Sequence, residues 1–298
     1  MVELDRVSEV DAFLAAAGAF LEAREAEHNL LFGICAHLRR DPTAYGSPPY
    51  LAVVSDGGHV VGAAIRTPPY DLVLSEMSTA DPVEAVAIDA AVAFPDLGGV
   101  MGPPDVSRAF ADIWERERHR AARVAMQQRI YRASSARVPA AVPGRMRPFG
   151  HTDRQLVVRW LGAFADEALS ERDVHEDPSR LLDRRLDDPE GGILVWEDDD
   201  RIVSLAGFGT PTPNGVRVGP VYTPPELRRR GYASGLVGTM TARLLERHRL
   251  CFLFTDRANP TSNAIYQRVG YEPVGDVDQY RFEGGGQRAA STTRSTAE

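Results

Sequence analysis

The sequence predicts an α/β (α+β) protein in which a mixed, mostly antiparallel twisted sheet, flanked by helices, is built twice along the chain. Three observations support this prediction. The length of 298 residues fits two domains of ordinary size better than one. The two halves carry similar hairpins within the same order of elements. Each half also closes on a strand that contains Gln, an aromatic residue and Arg.

The repeated hairpins lie at residues 50–64 and 192–207. In each, two apolar runs flank a tight turn, Asp56-Gly57-Gly58 in the first and Asp198-Asp199-Asp200 in the second, as is typical of β-hairpins. The closing strands are residues 128–132 and 279–282. A duplicated unit explains these parallels. The alternative is that hairpins with Gly or Asp turns look alike in any α/β protein.

The elements of the N-terminal half follow from hydrophobic periodicity and from turn residues. Apolar residues recur at intervals of three and four over residues 1–40, which predicts a helical start that ends before Asp41-Pro42. Further elements are strands at residues 50–55, 59–66, 71–75, 98–102 and 121–132, and helices at residues 82–94 and 104–117.

A stretch with few apolar residues and several Ser, Pro and Gly separates the halves. We therefore place a first domain at residues 1–135, a linker at 136–147 and a second domain at 148–283. Strands are expected at residues 145–149, 192–197, 201–208, 216–222, 250–255 and 271–282, and helices after residue 153 and at 178–186, 233–248 and 260–269. The tail, residues 284–298, has a composition typical of disorder.

Composition and charge narrow the function classes. A net charge of −8 argues against nucleic acid as the main partner and mildly favours cationic substrates. No apolar run is long enough for a membrane helix, and we expect no membrane partner. The two cysteines, Cys35 and Cys251, lie among apolar residues and are interpreted as reduced core cysteines of a cytoplasmic protein. All basic residues other than His are Arg, so no lysine can serve as a base or Schiff-base former.

The most informative segment joins a strand to a helix at residues 218–236. The strand ends near Tyr222 or Thr223, and the helix opens near Ala233. Gly231 allows close approach of a ligand or a positive φ, and the first N–H groups of the helix form an anion site with the helix dipole. Arg228, Arg229 and Arg230 add cationic charge with bidentate donors. The segment therefore predicts a ligand that bears phosphate.

This segment resembles the pyrophosphate loop of the GNAT superfamily of acyl-CoA-dependent N-acyltransferases, Arg/Gln-x-x-Gly-x-Gly/Ala, which Arg228-Arg-Arg-Gly231-Tyr-Ala233 matches. The resemblance implies two tandem GNAT-like domains, the second of which binds acetyl-CoA or another acyl-CoA as cosubstrate. It also implies that Tyr232 and Ser234, beside the matched residues, contact the cofactor. Alone, the hexamer would also fit a basic turn that caps an ordinary helix.

A second match lies downstream, where residues 259–271 resemble the family's Asn…Tyr-x-x-x-Gly-Phe segment. Asn259 suits a helix N-cap, followed by Pro260, and Gly270 is placed to end the helix. The resemblance implies that Asn259 bonds the pantetheine arm, with Ser262 beside it, and that Tyr266 protonates the leaving thiolate as general acid. The alternative for Tyr266 is a tyrosine that packs on the sheet.

The family also uses backbone groups of its fourth strand to hold pantetheine, and these would be Val221, Tyr222 and Thr223, whose N–H groups could polarise the thioester carbonyl. A glutamate often found on this strand or the next is missing from residues 216–222. Asp256 is our candidate for the general base. The other candidates are Glu171, His175, Glu176 and Asp177.

The resemblance thus implies direct transfer of an acetyl group to a small-molecule or peptide amine in a ternary complex, with no metal. The alternative is a non-catalytic CoA-binding or regulatory protein of the same fold. In the N-terminal half, residues 75–82 should correspond to the phosphate loop but contain neither Arg nor Gly, so we expect a degenerate domain. The acceptor, the acyl length and homodimer formation are left open.

Overall fold

The computed structural model describes residues 1–168 and 177–284 of the chain. It divides into two compact units. Of the described residues, the first contains 1–17, 45–125 and 278–284, and the second contains those in 18–44 and 126–277. This division differs from the predicted boundaries at residues 135 and 148, because both units are assembled from separate stretches of the chain.

The first unit is built on a sheet of six strands. They are β1 (Val2–Val7), β2 (Tyr50–Asp56), β3 (His59–Arg66), β4 (Leu72–Leu74), β5 (Gly99–Gly102) and the end of β12 (Glu272–Phe282). Their order across the sheet is β1-β2-β3-β4-β5-β12. Neighbours are antiparallel except β4 and β5, which run parallel. The helices of this unit are the start of α1 (Val10–Glu22), with α3 (Ala80–Ala93) and α4 (Pro104–Arg118).

The expected helical start of the chain is corrected by the structure. Residues 2–7 form strand β1, which pairs antiparallel with β2 from Val2–Asp56 to Val7–Leu51. The reason is tertiary, because Val2 and Leu4 pack against the core of this unit on the same side of the strand. Side chains of a strand alternate between the two faces of a sheet, so a strand with one buried face shows apolar residues at every second position. Six residues are too few for this alternation to give a strong signal in the sequence.

The second unit is also built on a sheet of six strands. They are β6 (Ala122–Ala133), β7 (Arg145–Pro148), β8 (Gly192–Asp198), β9 (Arg201–Gly209), β10 (Gly215–Tyr222) and β11 (Leu250–Asp256). Their order across the sheet is β6-β11-β10-β9-β8-β7. The helices of this unit are α2 (Asn29–Arg40), α5 (Arg154–Ala168), α6 (Pro178–Asp187), α7 (Tyr232–Leu244) and α8 (Pro260–Val269).

The closing strands of the two sheets are exchanged relative to their order in the sequence. Strand β6, which ends the N-terminal half of the chain, pairs antiparallel with β11 of the second unit from Cys251–Ala133 to Asp256–Gln128. The end of β12 pairs with β5 of the first unit at residues 278–281. The duplicated α/β fold is therefore confirmed, but each sheet is completed by a strand from the other half of the sequence.

The segment predicted as a linker packs inside the second unit. The Trp196 indole donates to the Pro143 carbonyl at 2.8 Å, and the N–H of Arg137 donates to the Val269 carbonyl at 2.7 Å. A Cβ at Gly238 of α7 would lie 3.0 Å from the Arg137 carbonyl. The segment 136–147 is therefore hydrogen-bonded to β8 and α8 and lies close to α7.

Two apolar clusters cover opposite faces of the second sheet. Alternate β8 residues divide between them, with Leu194 and Trp196 beneath α7 and α8, and Ile193 and Val195 beneath α5 and α6. Cys251 belongs to the first of these clusters and, like Cys35, is free and buried, as expected of core cysteines. Within the described ranges, no helix combines the length and apolar character needed to cross a membrane.

Candidate functional site

The centre of the second unit is a place where two parallel strands stop pairing. Strands β10 and β11 are in register at Gly215–Leu250, Val216–Cys251 and Arg217–Phe252. Beyond Arg217, β11 remains paired with β6 as far as Asp256, whereas β10 shifts its register against β9 between Val218 and Val221. A bulge of this kind bends the strand and changes its direction. The β11-facing edge of residues 218–222 is therefore left for a ligand.

The equivalent place in the first unit is filled. There β4 and β5 are paired at Leu72–Val100 and Val73–Met101, and a Cβ at Gly102 would lie 2.9 Å from Leu74 Cβ, so the strands stay in contact. The following loop turns inward, because the Ser75 hydroxyl accepts the Ala63 N–H at 2.8 Å and donates to the Glu76 carbonyl. This geometry agrees with the degenerate loop seen in the sequence.

The phosphate loop, Arg228 to Gly231, has the backbone that an anion site needs. Gly231 is the N-cap of α7 with φ of 88°, and Arg229 also adopts a left-handed φ of 65°. The first backbone bond of the helix runs from the Gly235 N–H to the Gly231 carbonyl at 2.9 Å. The N–H groups of Tyr232, Ala233 and Ser234 precede that bond and have no helical partner. Successive N–H groups around left-handed residues form a concave anion nest.

The three arginines of the loop are not equivalent. All three are exposed, as a phosphate ligand would require. Arg228 also reaches back to the sheet, where its Nε donates to the Thr223 carbonyl at 2.9 Å and its Nη2 contacts the Glu167 carboxylate at 2.6 and 2.9 Å. Arg228 thus fixes the loop against the end of β10.

Hydrogen bonds to the Tyr222 carbonyl and to the side chains of Tyr222 and Thr223 hold the end of β10. The Ser204 hydroxyl donates to the Tyr222 carbonyl at 3.0 Å and lies 2.8 Å from the Thr223 hydroxyl. The buried Tyr222 ring lies against Trp160, and its hydroxyl donates to Glu167 at 3.3 Å. Val221 is half-buried at the same strand end. These contacts fix the strand in the position predicted for binding pantetheine.

Tyr232 has a structural side chain. It is buried, and its hydroxyl donates to Asp198 at 2.6 Å. This hydrogen bond, reinforced by burial, raises the pKa of Tyr232. Its predicted part in binding the cofactor can therefore come from the main-chain N–H alone, together with those of Ala233 and Ser234.

The N-terminus of α8 is arranged as the sequence predicted. The Asn259 Oδ1 accepts the N–H of Ser262 at 3.0 Å, and Gly270 ends the helix at a left-handed φ of 112°. Asn259 is exposed, so its amide group can donate to a ligand while the carbonyl oxygen caps the helix. Ser262 contributes its N–H to this cap.

Tyr266 lies two turns into α8 and is 9% exposed. Its ring lies 6.3 Å from that of Tyr131 and 6.1 Å from that of Tyr271. Burial raises the pKa of Tyr266 to about 12, which keeps its hydroxyl protonated at neutral pH. Protonation is what a proton donor to a departing thiolate requires.

A polar group that the sequence analysis did not identify connects β6 to this helix. The Tyr131 hydroxyl donates to Asn263 Oδ1 at 2.9 Å and accepts from Gln267 at 3.2 Å. The Asn263 amide donates to the carbonyls of Asp256 and Asn259 at 3.0 and 2.6 Å. Tyr131 was noted as part of a repeated closing strand, but sequence offers no signal that this strand would join β11.

The predicted base, Asp256, lies at the exposed end of β11, where its Oδ1 accepts the Ala258 N–H at 2.8 Å. That contact is typical of an Asx turn. Asp177 has a similar role as N-cap of α6, accepting from the Ser179 N–H. The other candidates, Glu171, His175 and Glu176, lie outside the described residues.

Comparison with known proteins agrees with this geometry. The family model described as "Acetyltransferase (GNAT) family" matches residues 157–271. Among curated proteins, none matches the sequence. Solved structures with a similar fold include a Drosophila protein (TM-score 0.65, 13% identity, covering 94% of this chain and 98% of that one). A tandem GNAT protein from the clavulanic acid biosynthesis pathway has a TM-score of 0.56 and 13% identity, covering 96% of this chain and all of that one.

A GCN5-related N-acetyltransferase from Sphaerobacter thermophilus is similarly related, with a TM-score of 0.56, 16% identity, and coverage of 94% of this chain and 95% of that one. At such identities, the likeness establishes the fold. The matched residues 157–271 run from α5 to the end of α8 and enclose the β10 end, the phosphate loop and Tyr266. Residues 157–271 therefore match the model of the GNAT acetyltransferase family, and the chain has the fold of tandem GNAT proteins.

Proposed function

We propose that the protein is an N-acetyltransferase that moves the acetyl group of acetyl-CoA to a primary amine by direct attack in a ternary complex. The observation that carries this proposal is that one unit contains three features. They are the end of β10 beyond its pairing with β11, the N–H groups at the start of α7, and the buried Tyr266 on α8. Acetyl-CoA supplies an activated acyl thioester.

The residues fit each part of that molecule. The N–H groups of Tyr232 to Ser234, with Arg229 and Arg230, suit a pyrophosphate. The end of β10 at Val221 to Thr223 lies beyond the residues that pair with β11 and suits the amides of a pantetheine arm, although the Thr223 carbonyl already accepts from Arg228. The exposed amide of Asn259 can donate to that arm. These fits support acetyl-CoA as the donor.

In the reaction, the chain acts by orienting the two substrates and by moving one proton. A neutral amine attacks the thioester carbonyl, whose oxygen receives N–H donors from the end of β10. Tyr266 then gives its proton to the departing sulfur, the nitrogen loses one proton to water as the amide forms, and a proton from water restores the phenol. No covalent acyl-enzyme is required, so Ser, Cys and His nucleophiles have no part in the scheme.

The test is a turnover assay of the purified full chain. Acetyl-CoA is mixed with members of a panel of primary amines that covers amino acids, peptides, polyamines and aminoglycosides, and the free thiol is measured together with the mass of the product. We expect stoichiometric thiol release and a gain of one acetyl group on at least one amine. Acetyl-CoA binding without any acetylated product would favour the alternative of a non-catalytic CoA-binding protein.

A further inference from the structure

The last turn of α5 places a carboxylate at the opening of the proposed site. Glu167 Oε1 accepts the Tyr222 hydroxyl at 3.3 Å, and its two oxygens lie 2.9 and 2.6 Å from Arg228 Nη2. The Glu167 side chain is 46% exposed. This carboxylate is therefore in contact with both the strand end and the phosphate loop while remaining accessible to solvent.

The contacts of Arg228 connect this carboxylate to the binding of phosphate. Its Nε donates to the Thr223 carbonyl and its Nη2 to both oxygens of Glu167, so one guanidinium charge serves the strand end and the carboxylate. A pyrophosphate on the loop is a bidentate partner with more negative charge than one carboxylate. Donor binding and the Glu167 ion pair therefore compete for the same guanidinium.

Two of the other candidate acids, Asp256 and Asp177, lie within the described residues, and both accept backbone N–H groups. Asp256 holds an Asx turn and Asp177 caps α6. Glu167 differs from both, because its partners are side chains on two separate elements and because one of those partners is itself a predicted ligand of the donor. A half-exposed carboxylate that loses its cationic partner is a site for another cation.

We propose that Glu167 is the residue that binds the ammonium group of the acceptor, in exchange for Arg228. This inference rests on the proposed function and extends it to the substrate class, a primary amine that arrives as a cation. Without donor, Arg228 neutralises the carboxylate. With donor phosphates on the loop, Arg228 changes partners and Glu167 is free to bind the ammonium, so that donor binding strengthens acceptor binding.

The test compares Glu167→Gln with Glu226→Gln, which removes the same charge from an exposed residue in the short turn before the phosphate loop. Acetyl-CoA affinity is measured by calorimetry, and kcat/KM is measured with the amine that the wild type acetylates fastest. Because glutamine no longer competes for Arg228, we expect Glu167→Gln to bind acetyl-CoA about threefold more tightly, while kcat/KM for the amine falls at least about thirtyfold. The control should change neither quantity by more than about twofold.

The opposite changes expected in acetyl-CoA affinity and in kcat/KM distinguish a residue that binds the acceptor from one that only supports the fold. A loss of both acetyl-CoA affinity and turnover in Glu167→Gln would show a structural role and overturn the inference, and so would a variant that keeps the wild-type kcat/KM. Glu167→Asp, which keeps the charge and shortens the side chain, should recover part of the turnover. Failure of the wild type itself to acetylate any amine would instead count against the proposed function, independently of the variants.

Discussion

At the scale of single residues, Tyr266 is placed to donate a proton and is prevented from losing one at neutral pH. We expect Tyr266→Phe to lower the rate of thiol release by about a hundredfold, the lower end of what a positioned proton donor contributes. Acetyl-CoA affinity should stay within about twofold, because the aromatic ring remains in the core. Single-turnover rates and calorimetry check the two quantities separately.

Tyr271→Phe is the matched control for that variant. It removes a hydroxyl of the same core cluster, which lies 2.9 Å from the Thr241 hydroxyl, and it leaves Tyr266 in place. A Tyr266→Phe enzyme with the turnover of this control would remove Tyr266 from the mechanism.

The pKa of Tyr266 also fixes a pH dependence. With a pKa raised to about 12 by burial, the phenol stays protonated throughout the range in which acceptor amines lose their proton. The rate constant should therefore rise with pH as the amine deprotonates, without an alkaline decline up to about pH 10. A decline near pH ~9–10 in the wild type that disappears in Tyr266→Phe would contradict this assignment.

At the scale of elements, β6 supports the site from a distance in sequence. Tyr131→Phe removes the hydroxyl that connects β6 to Asn263 and Gln267, at a cost of about 1 kcal/mol of stability. Because Asn263 holds the carbonyl of Asn259, we expect acetyl-CoA affinity to fall several-fold as well. Tyr271→Phe should lose comparable stability without loss of affinity. Equal affinities in the two variants would show that β6 has no part in binding.

A second element-scale prediction concerns β12, whose end completes the first sheet. Arg281 of this strand contacts Asp71 in an ion pair whose side chains are 12% and 9% exposed. Asp71→Ala leaves a buried guanidinium without this carboxylate, and we expect a loss of about 3 kcal/mol. Asp183→Ala breaks the exposed pair with Arg154 and should cost less than about 1 kcal/mol. Chemical denaturation measures both, and equal losses would contradict the burial of the Asp71 pair.

Local patterns in the sequence predicted the helices, the strands and the loop before α7. Contacts between residues far apart in the sequence could not be predicted in this way. The positive φ predicted as one possibility for Gly231 and the N-cap predicted at Asn259 are both confirmed, because each is a property of the local backbone. The contact of Arg228 with Glu167 spans 61 positions, and that of Tyr131 with Asn263 spans 132. Neither leaves a local pattern, because side-chain partners depend on which strand pairs with which.

At the scale of the whole molecule, long-range strand pairing also explains why the two units differ from the predicted domain boundaries. The hairpins and the two closing strands were recognised, since alternation of apolar residues is a local property. Either closing strand could complete either sheet, because both offer similar residues to a neighbouring edge. The exchange that places β6 beside β11 and β12 beside β5 is decided by packing in each unit.

The two units also differ in what they can bind. In the first, β4 and β5 remain in contact at Leu74 and Gly102, and the Ser75 loop is turned into the sheet. In the second, β10 leaves β11 after Arg217, and a loop with two left-handed residues opens α7. The duplicated fold therefore predicts one acyl-CoA site per chain, not two.

The most direct measurement is calorimetric titration of the full chain with acetyl-CoA, beside Gly231→Asp and the control Gly58→Asp. Both glycines have a left-handed φ, 88° and 81°, but Gly58 lies in the β2–β3 turn, where a Cβ would meet no atom within 4 Å. We predict saturable binding of one acetyl-CoA per chain, retained in Gly58→Asp and lost in Gly231→Asp. Two sites per chain, no binding by the wild type, or unchanged binding in Gly231→Asp would contradict the account.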